Sequence, residues 1–313
     1  MIQTIATNPE LARVGLAAVV PAFQSKQTTF FQMLKAQKIA TKQQFERFTQ
    51  EADLMLAPVV NEAQGIPTQQ METYNQKDYH WRKRGLGVMV SREKVESDQY
   101  GVFTLSNIGK KIAKAMNQTE EVLAANRINF MTSSATENLG LDGSPLCSSI
   151  GLGGGHPLES GVGNNRGVLV NGIYVDVLPS YNALMMATAE LMGQVSHKGL
   201  PMPSAGPYRI ICSRNYKWVF DTIVGSTQRA QTSDNDKNVA IDLISQVYWN
   251  PYLTSPGSWG LLAEDADVFH RLTFGGKTFE SEYVKGKQVY AYYATEVYEY
   301  GHRDWRGFWG TTP

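Results

Sequence analysis

Between Leu105 and Phe130 the apolar residues Leu105, Ile108, Ile112, Met116, Leu123 and Phe130 recur at threes and fours, with Val122 beside the stripe. Lys110, Lys111, Lys114, Glu120 and Glu121 occupy other positions, so the spacing predicts one long amphipathic helix with a wet face. Ser106 is placed to cap its start by accepting a hydrogen bond from a free backbone N–H, and the hydroxyl run 132–136 favours its end. At 1.5 Å per residue such a rod is roughly 39 Å long. Upstream the period changes. Residues 69–90 read as two extended segments about a turn in Arg82-Lys83-Arg84-Gly85-Leu86-Gly87, with Leu86, Val88 and Val90 alternating as in a half-buried strand. Tyr74, Tyr79 and Trp81 stand on the first arm. A hairpin alone is marginally stable in water, so this one is expected to lie on its own body or on a neighbouring chain. Earlier still, Phe45, Phe48, Ala52, Met55 and Leu56 share a helical face over 43–56, between breaks at Pro21 and near Pro58 and Pro67.

Downstream, 172–178 is strand-like, and Leu184, Thr188 and Leu191 mark a helix that follows it. A loop at Pro201-Met202-Pro203 leads to a strand over 208–212 and a helix over 216–224, with Ser213 as its cap and Gly225 as its stop. The polar stretch 226–238 has nothing to bury and is expected to be an exposed loop. Segments 240–249, 259–263, 270–274, 278–284 and 288–298 read as strands, and Tyr290, Tyr292, Tyr298, Tyr300, Trp305, Phe308 and Trp309 load this end with aromatics. There is no internal repeat and no heptad. The reading as a whole is α+β.

Composition narrows the function more than the fold. A chain of 313 residues that is 42% hydrophobic can build one large domain or two intimate ones. Its 29 basic and 29 acidic residues balance, which leaves no global field of the kind that lets a repressor hold nucleic acid. Cys147 and Cys212 are too few for a disulfide framework, so a reducing compartment is expected. The apolar run 14–20 is far shorter than the roughly 20 residues needed to cross a bilayer, and no membrane association is expected. Lys26, Lys35, Lys38 and Lys42 form a basic stretch that reads either as a solvated face or as a surface making weak, salt-sensitive phosphate contacts.

Catalytic chemistry finds little support. Gly151-Leu152-Gly153-Gly154-Gly155 has a phosphate-cradle look, but a dinucleotide fingerprint would need its last glycine at His156, and Pro157 follows instead of a helix. Flexibility is the simpler explanation of that loop. Cys147 and His156 could form a nucleophile and base, giving an α/β enzyme as the rival reading, with no third residue indicated to orient the imidazole. His80, His197, His270 and His302 lack the i, i+4 spacing of a helical zinc site, so neither a metal nor a cofactor is expected. A nucleic-acid-binding module is the third reading.

The order of several motifs is more specific. Leu86-Gly87-Val88-Met89-Val90-Ser91-Arg92-Glu93, then Glu96-Ser97-Asp98, the long helix, Asp142-Gly143-Ser144-Pro145-Leu146-Cys147-Ser148-Ser149 and His156-Pro157-Leu158 together resemble the major capsid protein of tailed bacteriophages. Within that family the chain is similar to Mu-like head proteins with the Hong Kong 97-type fold. The resemblance continues through Tyr208-Arg209-Ile210-Ile211-Cys212, Trp218, Asn250-Pro251-Tyr252-Leu253-Thr254, Trp259 and Asp304-Trp305-Arg306-Gly307, and covers most of the chain beyond about Gly65.

The resemblance implies an α+β capsid fold with an N-terminal arm (1–65), an E-loop β-hairpin (66–100), a peripheral domain with a spine helix and glycine-rich loop (101–179), an axial domain (180–265) and C-terminal strands returning to the body (266–313). It implies a structural protein, not an enzyme, that assembles in the host bacterial cytoplasm into pentamers and hexamers of an icosahedral virion shell. The implied partners are further copies of the chain, portal, scaffold and decoration proteins, and packaged double-stranded DNA held by weak non-specific contacts. Tyr79, Trp81, Arg82, Lys83, Arg84, Leu86 and Arg92 become candidates for contact between subunits, and Lys26, Lys35, Lys38 and Lys42 for a surface facing DNA. Some relatives weld their shells through an E-loop lysine; Lys77 and Lys83 lie in that region, with no asparagine or acid identified to join them.

Overall fold

The computed structural model describes residues 33–62, 65–98, 100, 103–202, 206–228 and 237–313. In chain order the strands β1 (Gln37–Thr41), β2 (Phe45–Glu51), β3 (Thr73–His80) and β4 (Arg82–Ser91) lead into the short helix α1 (Arg92–Glu96) and the long helix α2 (Leu105–Asn129). Two small hairpins follow, β5 (His156–Leu158) with β6 (Gly161–Gly163) and β7 (Val168–Val170) with β8 (Ile173–Val175). Then come α3 (Tyr181–Met192), β9 (Tyr208–Cys212), α4 (Lys217–Gly225) and α5 (Ala240–Leu243). The chain ends with β10 (Ile244–Trp249), β11 (Trp259–Ala263), β12 (Phe269–Phe274), β13 (Thr278–Val284), β14 (Val289–His302) and β15 (Phe308–Thr311).

Two sheets organise these elements. The first is built around β14, whose 14 residues bond β12 and then β13 along one edge and β4 along the other. Parallel β1 closes the far side of β12, with Gln37 opposite His270. The second sheet has the order β10-β9-β11-β15, in which β10 and β9 are parallel.

Helix α2 crosses both cores because its small and apolar residues stay on one side for its full length. Ile108, Ile112, Ala113 and Met116 pack on Val90, Phe279, Tyr290, Tyr292 and Ala294 of the first sheet. About two turns later Ala124, Ala125 and Ile128 pack with Met131, Tyr298, Tyr300, Trp305 and Phe308. A third core joins α3, through Leu184, Ala187 and Leu191, to Trp259, Trp309 and Phe220. Thr104, rather than Ser106, is the N-cap of α2, and its side chain makes no capping bond. Ser213 likewise does not cap α4; a turn of 3-10 helix intervenes, and its hydroxyl donates to the Pro256 carbonyl.

Glu120 corrects the expected wet face. It falls four residues from both Met116 and Ala124, and so lies buried. There its Oε1 accepts from Tyr300 Oη at 2.9 Å and lies 3.1 Å from Arg271 Nε, while Arg271 Nη2 bonds Glu296 at 2.8 Å. Lys277 adds a second cation 3.5 Å from Glu296. The buried charges therefore alternate in sign, which removes the desolvation problem that any one of them alone would create.

Two further expectations change. Residues 45–51 form a strand, not part of a helix over 43–56, because β2 finds a complete antiparallel partner in β3, from Phe45 opposite His80 to Glu51 opposite Thr73. Phe48 then faces inward, and Phe45, three residues away, faces out. The second change concerns 69–90, which is not a hairpin with a turn at 82–87. Its first arm pairs with β2 and its second with β14, and only Trp81 separates them. Gly85 and Gly87 serve close approach within β4: a Cβ on Gly87 would fall 2.6 Å from the Tyr293 ring, and one on Gly85 2.9 Å from Thr295. Over 240–249, where a strand was expected throughout, the first four residues are α5 and the rest β10.

Replacing Arg271 by alanine leaves Glu120 and Glu296 buried without their shared cation. The expected loss is about 3–5 kcal/mol of stability, measured as a lower urea midpoint at unchanged slope for the soluble subunit.

Candidate assembly surfaces

The β2–β3 hairpin is held on the first sheet at its root and, near its far end, by Tyr74 stacked on His197 at 3.8 Å. Phe48 and Tyr79 bury against Leu141 and Leu272, with Ile39 alongside. Tyr79 Oη donates to the His302 carbonyl at 2.6 Å, Gln50 Nε2 to the Arg303 carbonyl at 3.3 Å, and Lys77 Nζ to the Leu139 carbonyl. Arg47 and Asp78 form a two-bonded pair across the hairpin at 2.6 and 2.7 Å, which holds the guanidinium above and the carboxyl below its usual range.

Past Ala52 the described residues of the connecting loop are uncovered. Ala52 N–H still bonds the Glu72 carbonyl at 2.8 Å, and Met55 N–H bonds Gln69 Oε1 at 2.9 Å. Every described residue from Asp53 to Glu72 is nonetheless exposed. Leu54, Met55, Leu56, Val59, Val60, Ile66 and Met71 all face solvent, Leu56 at 78% and Val59 at 90% of their full area. Scattered exposed leucines need no explanation, but seven aliphatic residues in one projecting loop form a patch of the kind that marks a contact surface. The sequence carried a signal for it: apolar residues without period, between Pro58 and Pro67, in a stretch with nothing to pack against.

The candidates for contact between subunits divide. Tyr79 is buried at the root, and Trp81 is turned inward, stacked on Phe274 at 4.7 Å and donating to the Gln43 carbonyl. Arg84 bonds Glu299 at 3.0 Å within the sheet. Arg82 reaches Glu137 at 3.0 Å, and Arg92 pairs with Glu96 one turn along α1 at 2.6 Å. Lys83 and Leu86 remain on exposed positions of β4. Most of these side chains are thus spent within one chain, because β4 lies inside the sheet and not on a projecting arm.

Among the lysines, Lys26 lies outside the described residues. Lys35 bridges to Glu264 at 3.3 Å, and that carboxyl is held down to about 2 by the Ser245 hydroxyl and Arg209, with Lys35 contributing. Lys38, within β1, and Lys42, just after it, are exposed. They do not share a helix face. Two smaller apolar features also reach solvent: Leu169, Val170, Ile173 and Val175 on the β7–β8 hairpin, and Trp218 on α4, which is 80% exposed.

The Cys147 and His156 loop is not an assembled nucleophile and base. Cys147 is buried and its thiol is pushed well up by desolvation. The His156 ring, stacked on Trp305 at 4.0 Å, has Nδ1 2.6 Å from Asp142 Oδ2 and Nε2 3.0 Å from Asn165 Oδ1, so both nitrogens are engaged elsewhere. Asn165 Nδ2 donates to the carbonyls of Leu146 and Phe308, which fastens the loop to the C-terminal strand. The glycine run is likewise a bonded turn and not slack chain: Leu152 N–H bonds the Ser149 carbonyl, and Gly155 N–H bonds Ser148 Oγ, at positive φ. Among the described residues no cluster of three metal-ligating side chains occurs, and no helix is long and apolar enough to cross a membrane.

No curated protein matches the sequence. Solved structures do match the fold. The capsid of the cyanophage P-SCSP1u superposes with a TM-score of 0.58 over 91% of this chain and 88% of that one, at 13% identity. A chain of Microbacterium phage Oxtober96 gives 0.57 over 92% and 91% at 11% identity, and the SrpI encapsulin of Synechococcus elongatus gives 0.54 over 91% and 88% at 9% identity. At such identities the likeness establishes the architecture, a Hong Kong 97-type fold. The family rests on the sequence itself: a model described as phage capsid protein matches residues 74–310, from β3 into β15, and the chain belongs to that family.

Proposed function

We propose that this chain is the major capsid protein of a tailed phage, forming pentamers and hexamers of an icosahedral virion shell around double-stranded DNA, and that its role is structural, not enzymatic. The single observation carrying the mechanism is the aliphatic loop at the end of the β2–β3 hairpin. In this reading the hairpin is the E-loop, shifted upstream of 66–100, and its loop lies on a sister copy. Burying each Leu, Ile, Val or Met side chain contributes about 1.5–3 kcal/mol before the cost of ordering. Closed symmetry repeats the contact around the shell, so each copy need contribute little. The order of motifs in the sequence favours a Mu-like head within the family.

Charge fits the same reading. A balanced subunit does not grip every phosphate, so DNA can be driven in and released. Lys38 and Lys42 would supply weak inner contacts, and portal, scaffold and decoration proteins would be the heterologous partners. Lys83 and Leu86 remain as exposed neighbours for the loop of another copy.

Replacing 54–71 by a short glycine-serine link is expected to leave a folded, soluble subunit and to abolish shells in electron micrographs; normal shells would remove the loop from the mechanism. The triple variant Leu56→Ser, Val59→Ser and Ile66→Ser should leave the thermal midpoint of the subunit unchanged, because these side chains are exposed in it. The concentration needed for assembly, followed by light scattering, should rise by about tenfold or more, the equivalent of 1.4 kcal/mol lost per contact.

A further inference from the structure

Two histidines sit beneath the root of the β2–β3 hairpin. His270, on β12, is 2% exposed; its ring lies 4.5 Å from the Phe48 ring and 4.6 Å, edge to face, from Tyr79. Neither of its ring nitrogens has a hydrogen-bond partner, and a Cβ on Gly301 would come within 2.5 Å of Nε2, so backbone closes that side. His302, at the end of β14, is also buried, and its Nε2 has no acceptor. Its carbonyl is the one that Tyr79 Oη bonds.

The charged groups around them have mostly one sign. Lys77 on β3, Arg127 on α2 and Arg303 after β14 act on His270; Lys77, Arg127, His156 and His270 itself act on His302. Asp142 is the nearby carboxylate, and it is engaged by His156 at 2.6 Å. An imidazolium at either place would be a dry cation without an acceptor, among other cations.

We propose that His270 and His302 make the hairpin seat an acid-sensitive latch, closed while both rings are neutral and opened when protons are taken up. The inference goes beyond the assembly reading and stands on contacts within one chain. Lifting β2–β3 off the first sheet uncovers the His270 ring to water, where a histidine titrates near 6.5, and takes Lys77 and the Tyr79 hydroxyl away from His302. In the seated form, burial first and the neighbouring cations second push His270 down to about 3, and His302 is lowered in the same way. The seated state thus binds fewer protons than the lifted one. Its advantage is complete above about pH 6.5 and is lost as pH falls below that value, by up to tenfold per pH unit for each histidine. The Phe48 and Tyr79 contacts set how far the pH must fall before lifting is seen.

Amide hydrogen exchange on unassembled subunits at pH 7.5 and 5.0, corrected for intrinsic rates, tests the latch. Protection of 45–51 and 73–80 should fall by on the order of tenfold or more between these pH values, while β9 and β11 keep theirs. His270→Phe fills the slot between Phe48 and Tyr79 with a ring that cannot titrate, and should reduce the dependence to that of one proton. Imidazole nitrogen shifts of the unaltered chain should show both rings neutral at pH 6. Protection independent of pH, an unchanged acid response in His270→Phe, or protonated rings under a seated hairpin at pH 6 would each overturn the proposal. None of these readings depends on whether shells form.

Discussion

Backbone pairing along both edges of β14 is the constraint from which the rest of the subunit follows. A strand buried between two others cannot leave its N–H and C=O groups unpaired, because each unmet group costs about as much as a lost hydrogen bond. The edge that faces away from β12 and β13 is met by β4 from Ser91 opposite Val289 to Arg82 opposite Tyr298. This requirement takes 82–91 away from its sequence neighbour β3. It leaves β3 free to pair with β2, so the projecting arm of the molecule is made from 45–80. Helix α2 then lies across the sheet, and the alternation of Glu120, Arg271 and Glu296 pins it at the centre.

Much of this architecture was legible from periodicity. Helix α2 was readable because its apolar face persists for 25 residues, and β9, β11 and β13 because short apolar or alternating runs are bounded by turn residues. The errors share one cause: the winning partner lay far away in the chain. Phe45 and Phe48 at helical spacing give no hint that Thr73–His80 waits to pair with them. Gly85 and Gly87 look like a turn until the Tyr293 ring and Thr295 are seen to need their room. Glu120 looked solvent-exposed because Arg271, its counter-charge, is far along the sequence.

The family was readable from the order of the motifs, and the arm is now proposed at another place in the chain. An arm reaching beyond its own body was anticipated, and the family is the one whose motif order the chain displays. The residues chosen for that arm, however, were mostly those of β4, and Arg84 on that strand and Arg92 on α1 have carboxylate partners within the chain. The apolar loop was divided between a helix ending at Leu56, an N-terminal arm reaching to residue 65 and a hairpin beginning near residue 66, because Met55 and Leu56 stand at helical spacing from Phe48 and Ala52. The meaning of its apolar side chains emerges only when the hairpin root is seen to leave them nothing to cover.

The parallel contact of β1 with β12 sets a timetable for the nascent polypeptide. Gln37 emerges from the ribosome well before the strand that bonds it, which begins at Phe269. Pairings so distant in sequence are slow to close. A truncated product therefore lacks the strand that anchors the beginning of the chain. Only a translation product that already includes β12 can fix the base from which the hairpin projects, so copies that stop short of it are poorly equipped to compete for places in a growing assembly.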